Sequence, residues 1–82
     1  MFHKMFDLKG LEKEVHEYRK KISDEELFIP DNWLPKNFTT EDLRKVLAKA
    51  INTGKNFEEF MPNEFKEYLK VYEDGIKKGN IY

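Results

Sequence analysis

The segment from Phe38 to Gly54 constrains the fold most strongly, because it contains a helix start, an apolar stripe and a helix stop in one run. Thr39 predicts the N-cap, and Asp42 three residues later completes a variant of the capping box. Gly54 predicts the left-handed residue that ends a helix. Between these ends, apolar residues recur at the spacing of one helix face: Leu43, Val46, Leu47, Ala50 and Ile51. We therefore expect a central core helix over residues 40–53.

The length of the chain limits it to one core. We expect its 82 residues to form a single small helical domain, 1–82, with loose ends at 1–6 and 80–82. Only 39% of the residues are hydrophobic, but seven Phe, four Tyr and one Trp supply large rings. Each buried ring removes roughly 150–250 Å² from solvent. Much of the core must therefore be aromatic, and the composition argues against disorder.

Charge and cysteine content narrow the function classes. Fifteen Lys plus Arg against sixteen Asp plus Glu give a net charge of −1, so the composition does not favour bulk attraction to nucleic acid or anionic membranes. The absence of cysteine rules out a disulfide, a Cys-based zinc site and a thiol nucleophile. The sequence shows neither a signal-peptide pattern nor an apolar run of membrane-spanning length. We expect a cytoplasmic protein without a membrane partner.

A second amphipathic pattern precedes the central helix. Its apolar residues alternate in steps of three and four: Leu8, Leu11, Val15, Tyr18 and Ile22. We expect a helix over residues 7–22, with Asp7 as its N-cap and Gly10 weakening its first turn. Ser23 and the acids that follow it form a capping-box sequence, which predicts a short helical turn near 24–27.

The connector over residues 28–38 is too apolar to be an ordinary solvent-exposed loop. Pro30 and Pro35 prevent a continuous helix, so we expect an irregular or extended chain. Trp33 and Leu34 carry a large apolar surface in the middle of it. The connector either covers the core as a lid or exposes a contact patch. The aromatic burial that so small a domain needs favours the lid.

The C-terminal third predicts one more helix. Asn56 is a candidate cap for a short helical turn near 57–60, and Pro62 suits the first turn of a helix over 62–78. The expected buried stripe of this helix, with Tyr68 at its edge, is Phe65, Leu69, Tyr72 and Ile76. The fold class is therefore all-α: a small three-helix domain with two extra short helical turns and an aromatic, proline-containing connector. A strand at 27–29 or at the C-terminus would make it α+β.

Candidate catalytic and metal-binding residues do not form a recognisable constellation. Glu12 and His16 stand one helical turn apart, but a third metal ligand is missing from their neighbourhood. Ser23 is the only serine and serves as a helix cap. The adjacent glutamates at 25–26 and 58–59 would point about 100° apart on a helix rather than at one substrate. We predict a protein that is not an enzyme, with no metal or other cofactor.

A basic strip offers an alternative function. Arg44, Lys45, Lys49 and Lys55 lie along the central helix and just beyond its end. Such strips are more often solvated faces, and the acids in the turn near 57–60 have the wrong sign for a DNA-recognition helix. Weak nucleic-acid binding through these four residues is the alternative, and we rank it below protein binding.

The main functional hypothesis is a module that binds an unknown protein partner or itself and has a regulatory role. Phe28, Trp33 and Leu34 are the expected contact residues if the connector is exposed, with Tyr68 and Tyr82 as second choices. Aromatic side chains favour this role because they provide a large contact area at little cost in rotamer entropy.

The overall composition resembles that of proteins from AT-rich bacterial genomes and their phages. It is rich in Lys, Asn, Ile, Phe and Glu, and it contains few Ala, Arg and Gly. The resemblance is one of composition and includes no motif. It implies a small accessory or host-modulating protein.

Overall fold

The computed structural model describes residues 4–77, and their side chains as far as residue 75. It contains three helices, α1 (Glu12–Lys21), α2 (Thr40–Thr53) and α3 (Asn63–Lys77), and two 3₁₀ turns, Asp31–Trp33 and Phe57–Phe60. Within these residues no strand forms, and the one β-type pairing is an isolated bridge between Met5 and Pro30. The predicted all-α class is confirmed.

Helix α2 begins and ends as its sequence predicts. The Thr39 hydroxyl accepts a hydrogen bond from the Asp42 backbone N–H at 3.2 Å, and the Asp42 carboxylate accepts one from the Thr39 N–H at 2.9 Å. The backbone bond from Thr39, with its side chain second, lowers the pKa of Asp42. At the other end Gly54 has φ 72°, a left-handed conformation that costs glycine nothing. Local chemistry alone therefore fixes both ends of this helix.

Helix α2 is also the centre of the packing, because α1 and the second 3₁₀ turn both contact it, while α3 contacts the first 3₁₀ turn. Four of the eleven buried core residues are aromatic, as the composition predicted. The core consists of Leu11, Tyr18, Ile29, Trp33, Leu43, Val46, Leu47, Ala50, Phe57, Met61 and Phe65.

Helix α1 is shorter than the predicted range of 7–22, because it begins at Glu12. The Asp7 carboxylate accepts a hydrogen bond from the Lys9 N–H at 2.9 Å, and Gly10 adopts φ 90°. A residue with that φ interrupts a right-handed helix. Asp7 therefore caps a local turn that precedes the helix, and its prediction as the helix N-cap is wrong.

The helical turn predicted near 24–27 is also absent, and this segment is irregular. The Ser23 hydroxyl accepts a hydrogen bond from the Glu25 N–H at 3.3 Å, closing a short turn instead of capping a helix. The Arg19 guanidinium donates a hydrogen bond to the Asp24 backbone carbonyl at 3.0 Å. In a helical turn, that carbonyl would instead accept a hydrogen bond from a backbone N–H later in the turn. Both contacts favour a bend at the end of α1.

The connector is held by the N-terminal segment. The Phe6 N–H donates to the Ile29 carbonyl at 2.8 Å, and the Asp31 N–H donates to the Lys4 carbonyl at 2.7 Å. Residues 4–6, predicted as part of a loose end, are thus paired with the connector, while 1–3 and 80–82 lie outside the described residues. Pro30 has no N–H to donate, so the pairing passes through its neighbours and stays a bridge instead of becoming a strand.

The C-terminal part agrees with its prediction. The Asn56 side chain accepts a hydrogen bond from the Glu58 N–H at 2.9 Å and caps the turn over Phe57–Phe60. Helix α3, Asn63–Lys77, follows the predicted range of 62–78 as far as the described residues extend. Within residues 4–77, no helix combines the length and the apolar character that crossing a lipid bilayer requires.

Candidate functional site

The first 3₁₀ turn positions the tryptophan of the connector. The Trp33 N–H donates to the Pro30 carbonyl at 3.1 Å, and the Leu34 N–H donates to the Asp31 carbonyl at 3.2 Å. Pro30 supplies the fixed φ of −64° at which this turn begins. The Trp33 side chain is only 5% exposed, whereas Leu34 is half-buried. The connector therefore contributes one buried residue and one half-buried residue side by side.

Trp33 is the centre of an aromatic cluster, which we define as Phe28, Trp33, Phe65, Tyr68 and Tyr72. Phe28 and Phe65 meet the indole edge-on, with ring centroids 5.3 and 5.4 Å away. Tyr68 stacks on the indole at 6.0 Å with an interplanar angle of 8°, and Tyr72 lies 5.8 Å away. Aromatic pairs in such geometries contribute about 0.5–1.5 kcal/mol each beyond area burial. The cluster thereby fixes the connector to α3.

An aromatic groove of about 410 Å³ opens between the connector and α3. The connector side of the groove is formed by Asn32, Trp33 and Leu34, and the α3 side combines two carboxylates with two large side chains. The four α3 residues are Glu64, Glu67, Tyr68 and Val71.

Helix α3 exposes large apolar side chains in and beside the groove, on a protein in which 38% of residues are charged. Tyr68 is 51% exposed, Val71 is 71% exposed and Tyr72 is 36% exposed. Within the described residues, these are three of the four large hydrophobic side chains that face solvent, the fourth being Met5. A cluster of this kind on one helix is typical of contact surfaces.

Three of the five predicted contact residues meet in the aromatic groove: Trp33, Leu34 and Tyr68. Phe28 is half-buried and lies behind them, against Trp33 and Tyr72. Tyr82 lies outside the described residues. Of the two alternatives for the connector, Trp33 fits the lid because it is buried, and the surface that could contact a partner is limited to the half-buried Leu34 and the neighbouring exposed face of α3.

The sequence analysis missed Val71 and the two carboxylates of the groove, Glu64 and Glu67. A signal for Val71 was present, because it follows Tyr68 by three residues and is apolar although it lies off the buried stripe of α3. Tyr72, predicted as part of that stripe, is 36% exposed. At this level of α3 its stacking partner is the half-buried Phe28, 5.5 Å away, so the pair stays near the surface.

The predicted basic strip does not act as one surface. The Arg44 guanidinium pairs with Glu14 at 2.8 Å and with Glu41 at 3.1 Å, so its charge is compensated. Lys55 is exposed beyond the end of α2 and does not line a groove with the others. Lys45 and Lys49 are the two members of the strip that remain together.

Lys45 and Lys49 are joined by Lys66 of α3 around a second, shallower space of about 380 Å³, which we call the lysine groove. The Lys49 ammonium lies 5.5 Å from the centroid of the Phe60 ring, within the range of a cation–π contact. Glu59 lines the same groove and offsets part of its charge. The two grooves therefore have opposite charge.

The candidate metal ligands are not gathered into a site. The Glu12 carboxylate accepts a hydrogen bond from the Gly10 N–H at 3.1 Å, which engages it at the start of α1. Glu12 and His16 line an open depression with Asp24, and the depression also contains Arg19 and Lys20, whose charges oppose cation binding. Among residues 4–77, no three His, Cys, Asp or Glu side chains converge as metal ligands would.

Two titratable groups have perturbed environments at the second 3₁₀ turn, away from the aromatic groove. The buried Tyr18 hydroxyl accepts a hydrogen bond from the Phe57 N–H at 3.0 Å, and burial raises the pKa of Tyr18. Burial also raises the pKa of Glu58, and the carboxylates of Glu73 and Glu25 raise it further. Both effects arise from packing between elements rather than from a reactive site.

Comparison with protein-family models, with curated proteins and with solved structures finds no match for this chain. Its function is therefore inferred from the geometry of the described residues.

Proposed function

We propose that this chain is a non-enzymatic protein-binding module, with a regulatory role, whose contact surface is the aromatic groove and the exposed side of α3. The observation that carries the proposal is the exposure of Tyr68 and Val71 beside the buried Trp33. Tyr68 is already stacked on the indole, so it loses little rotamer freedom when a partner docks. Rigid aromatic anchors surrounded by polar residues are the side chains that dominate binding energy at interfaces.

The chemistry of the groove supports binding rather than catalysis. The groove presents aromatic rings, aliphatic side chains, one amide and two carboxylates, whereas nucleophilic catalysis needs a nucleophile held beside a base. The cysteine-free composition is compatible with a reducing compartment, and we include a cytoplasmic location in the proposal. An accessory role in a bacterium or phage, suggested by the composition, belongs to the same proposal.

Site-specific photocrosslinking tests this proposal. A photoreactive amino acid replaces Val71 in the groove or, as a matched control, the exposed Asn52 of α2. In cells of the source organism, we expect one discrete adduct from position 71 and none from position 52. Mass spectrometry of the adduct distinguishes a different protein from a second copy of this chain. No adduct from position 71, or the same adducts from both positions, would contradict the proposal.

Weak nucleic-acid binding is the second candidate function, and the convergence of Lys45, Lys49 and Lys66 from two helices favours it. Neutralised phosphates release counterions, so such binding weakens steeply with salt. Fluorescence anisotropy with a labelled 20-nucleotide DNA in low salt tests it. Under this alternative, a Lys45→Glu/Lys49→Glu variant loses binding, whereas the control Lys13→Glu/Lys20→Glu retains it. If the parent protein does not bind at low salt, this function is dismissed.

A further inference from the structure

We propose that the aromatic groove recognises a basic peptide segment of a partner protein. An Arg or Lys side chain of the segment lies between Glu64 and Glu67, and an apolar side chain about one helical turn away packs on Tyr68 and Val71. This inference rests on the protein-binding function proposed above and adds the chemical class of the partner.

Helix geometry places the four α3 residues of the groove in a compact arrangement. Glu67 and Tyr68 follow Glu64 by three and four positions along the chain. Val71 in turn follows Tyr68 by three positions and Glu67 by four. Residues three and four apart are neighbours on a helix surface, with Cβ atoms about 5–6 Å apart. The face therefore has an acidic half towards the start of α3 and an apolar half one turn later.

The acidic half makes no ion pair within the described part of the chain. The ion pairs found there join Lys21 to Glu17, and Arg44 to Glu14 and Glu41. None of them includes Glu64 or Glu67, and no Lys or Arg lines the groove. A cationic side chain from a partner would therefore meet two carboxylates that are not engaged in an ion pair within the described residues.

The apolar half provides the second contact of the segment. Tyr68 is stacked on the indole of Trp33, and its side chain is still 51% exposed. An apolar side chain of the segment would therefore pack on a ring that is already held in place. Val71 and Leu34 accept the same apolar side chain of the segment. Acidic and phosphate-bearing partners are disfavoured here, since Glu64 and Glu67 would repel them.

Two matched synthetic peptides test the inference. Both are 15-residue helical peptides with Leu at every fourth position, and they differ only in carrying either Arg or Glu three residues before each Leu, on the same face of the helix. Trp33 is the only tryptophan of the protein, so its fluorescence reports occupancy of the groove. At low salt we expect the Arg peptide to bind at least about tenfold more tightly than the Glu peptide, a difference of about 1.4 kcal/mol.

Charge reversal on the protein should invert this preference. In a Glu64→Lys/Glu67→Lys variant, we expect the Glu peptide to bind more tightly than the Arg peptide. The matched control is Glu25→Lys/Glu26→Lys, which changes the net charge equally at exposed residues outside the groove. The control should retain the preference for Arg, apart from a uniform change due to long-range attraction.

Several results would overturn the inference. They are equal affinity for the two peptides, an Arg preference that survives reversal at Glu64 and Glu67, and no saturable binding of either peptide. A Val71→Asp variant distinguishes a failure of the basic-peptide inference from a failure of the proposed protein-binding function. Equal binding of both peptides that is lost in Val71→Asp leaves the protein-binding function standing with a partner of different chemistry. Failure of both the peptides and the crosslink from position 71 removes the function as well.

Discussion

Removal of one hydroxyl from the core tests how the second 3₁₀ turn is held. Tyr18 is 1% exposed, and its hydroxyl accepts the Phe57 N–H at 3.0 Å. Tyr18→Phe keeps the ring and its edge-on contact with Phe57, whose centroid lies 5.7 Å away. The substitution therefore leaves the packing intact and strands a buried backbone donor. The cost of such an unsatisfied donor is about 1–3 kcal/mol.

That cost is a large fraction of the expected stability. At about 0.05–0.15 kcal/mol per residue, a chain of 82 residues has a free energy of unfolding of about 4–12 kcal/mol. A loss of 1 kcal/mol lowers the Tm of a domain this size by about 4–8 °C. We therefore expect Tyr18→Phe to melt at least about 4 °C below the parent, measured by circular dichroism of the helices.

The control is Tyr68→Phe, because that hydroxyl belongs to an exposed side chain and its loss should leave the Tm nearly unchanged. Tyr18→Phe within about 0.5 kcal/mol of the parent would refute the reasoning, since that is the usual range of surface substitutions.

The same residue predicts a difference at alkaline pH. Burial raises the pKa of Tyr18 above 10.0, so the folded state holds the phenolic proton more tightly than the unfolded chain does. The stabilising contribution is fully present below pH 10.0 and is lost as the pH rises through the raised pKa. We expect the stability difference between the parent and Tyr18→Phe to narrow over that range, in denaturant titrations at each pH.

Three further substitutions extend these tests. Burial, with the neighbouring carboxylates, raises the pKa of Glu58 above 4.5, so the favourable protonated form is lost as the pH rises through the raised value. Glu58→Gln should therefore raise the Tm at pH 7 and lose that advantage below pH 4.5; an equal Tm at pH 7 would contradict this. Gly54→Ala forces a side chain into φ 72° at the end of α2 and should cost about 1–2 kcal/mol in urea unfolding, with Lys55→Ala as the nearly neutral control. Trp33→Ala should cost about 3–5 kcal/mol by circular dichroism, whereas Trp33→Phe retains a cooperative transition; a stable Trp33→Ala variant would show that the connector is not a lid.

The parts of the fold that the sequence predicted well are those whose signals are local. The two ends of α2 depend on Thr39, Asp42 and Gly54, and each acts within a few residues of itself. The errors occurred where the same local sequence pattern is compatible with both a helix N-cap and a short turn. Asp7 and Ser23 bond the backbone two residues ahead in turns, with the same side-chain chemistry that caps helices. The choice between the two depended on backbone conformation and on contacts that the pattern does not contain.

The candidate site was predictable only in part, for a different reason. Trp33 and Leu34 were predicted because large apolar side chains are unusual in a connector, and Tyr68 because it lies at the edge of the buried stripe of α3. Whether Val71 and the acidic half line the groove depends on which side of α3 the connector covers. That choice is made by the stacking of Phe28 and Trp33 against α3, a tertiary contact that helical periodicity does not encode. Periodicity separates the buried stripe from the rest, and it leaves the surface faces equivalent.

The pairing of the N-terminal segment with the connector has a consequence for dynamics. The two backbone hydrogen bonds, from Phe6 to Ile29 and from Asp31 to Lys4, close a chain loop that contains the whole of α1. Within α1 only Tyr18 is buried, whereas α2 buries four residues, so less apolar packing opposes the opening of α1. We expect the amides of α1, Phe6 and Asp31 to exchange with solvent as one cooperative unit, faster than those of α2. A substitution that weakens the pairing of residues 4–6 with the connector should therefore increase the amide exchange rates throughout α1.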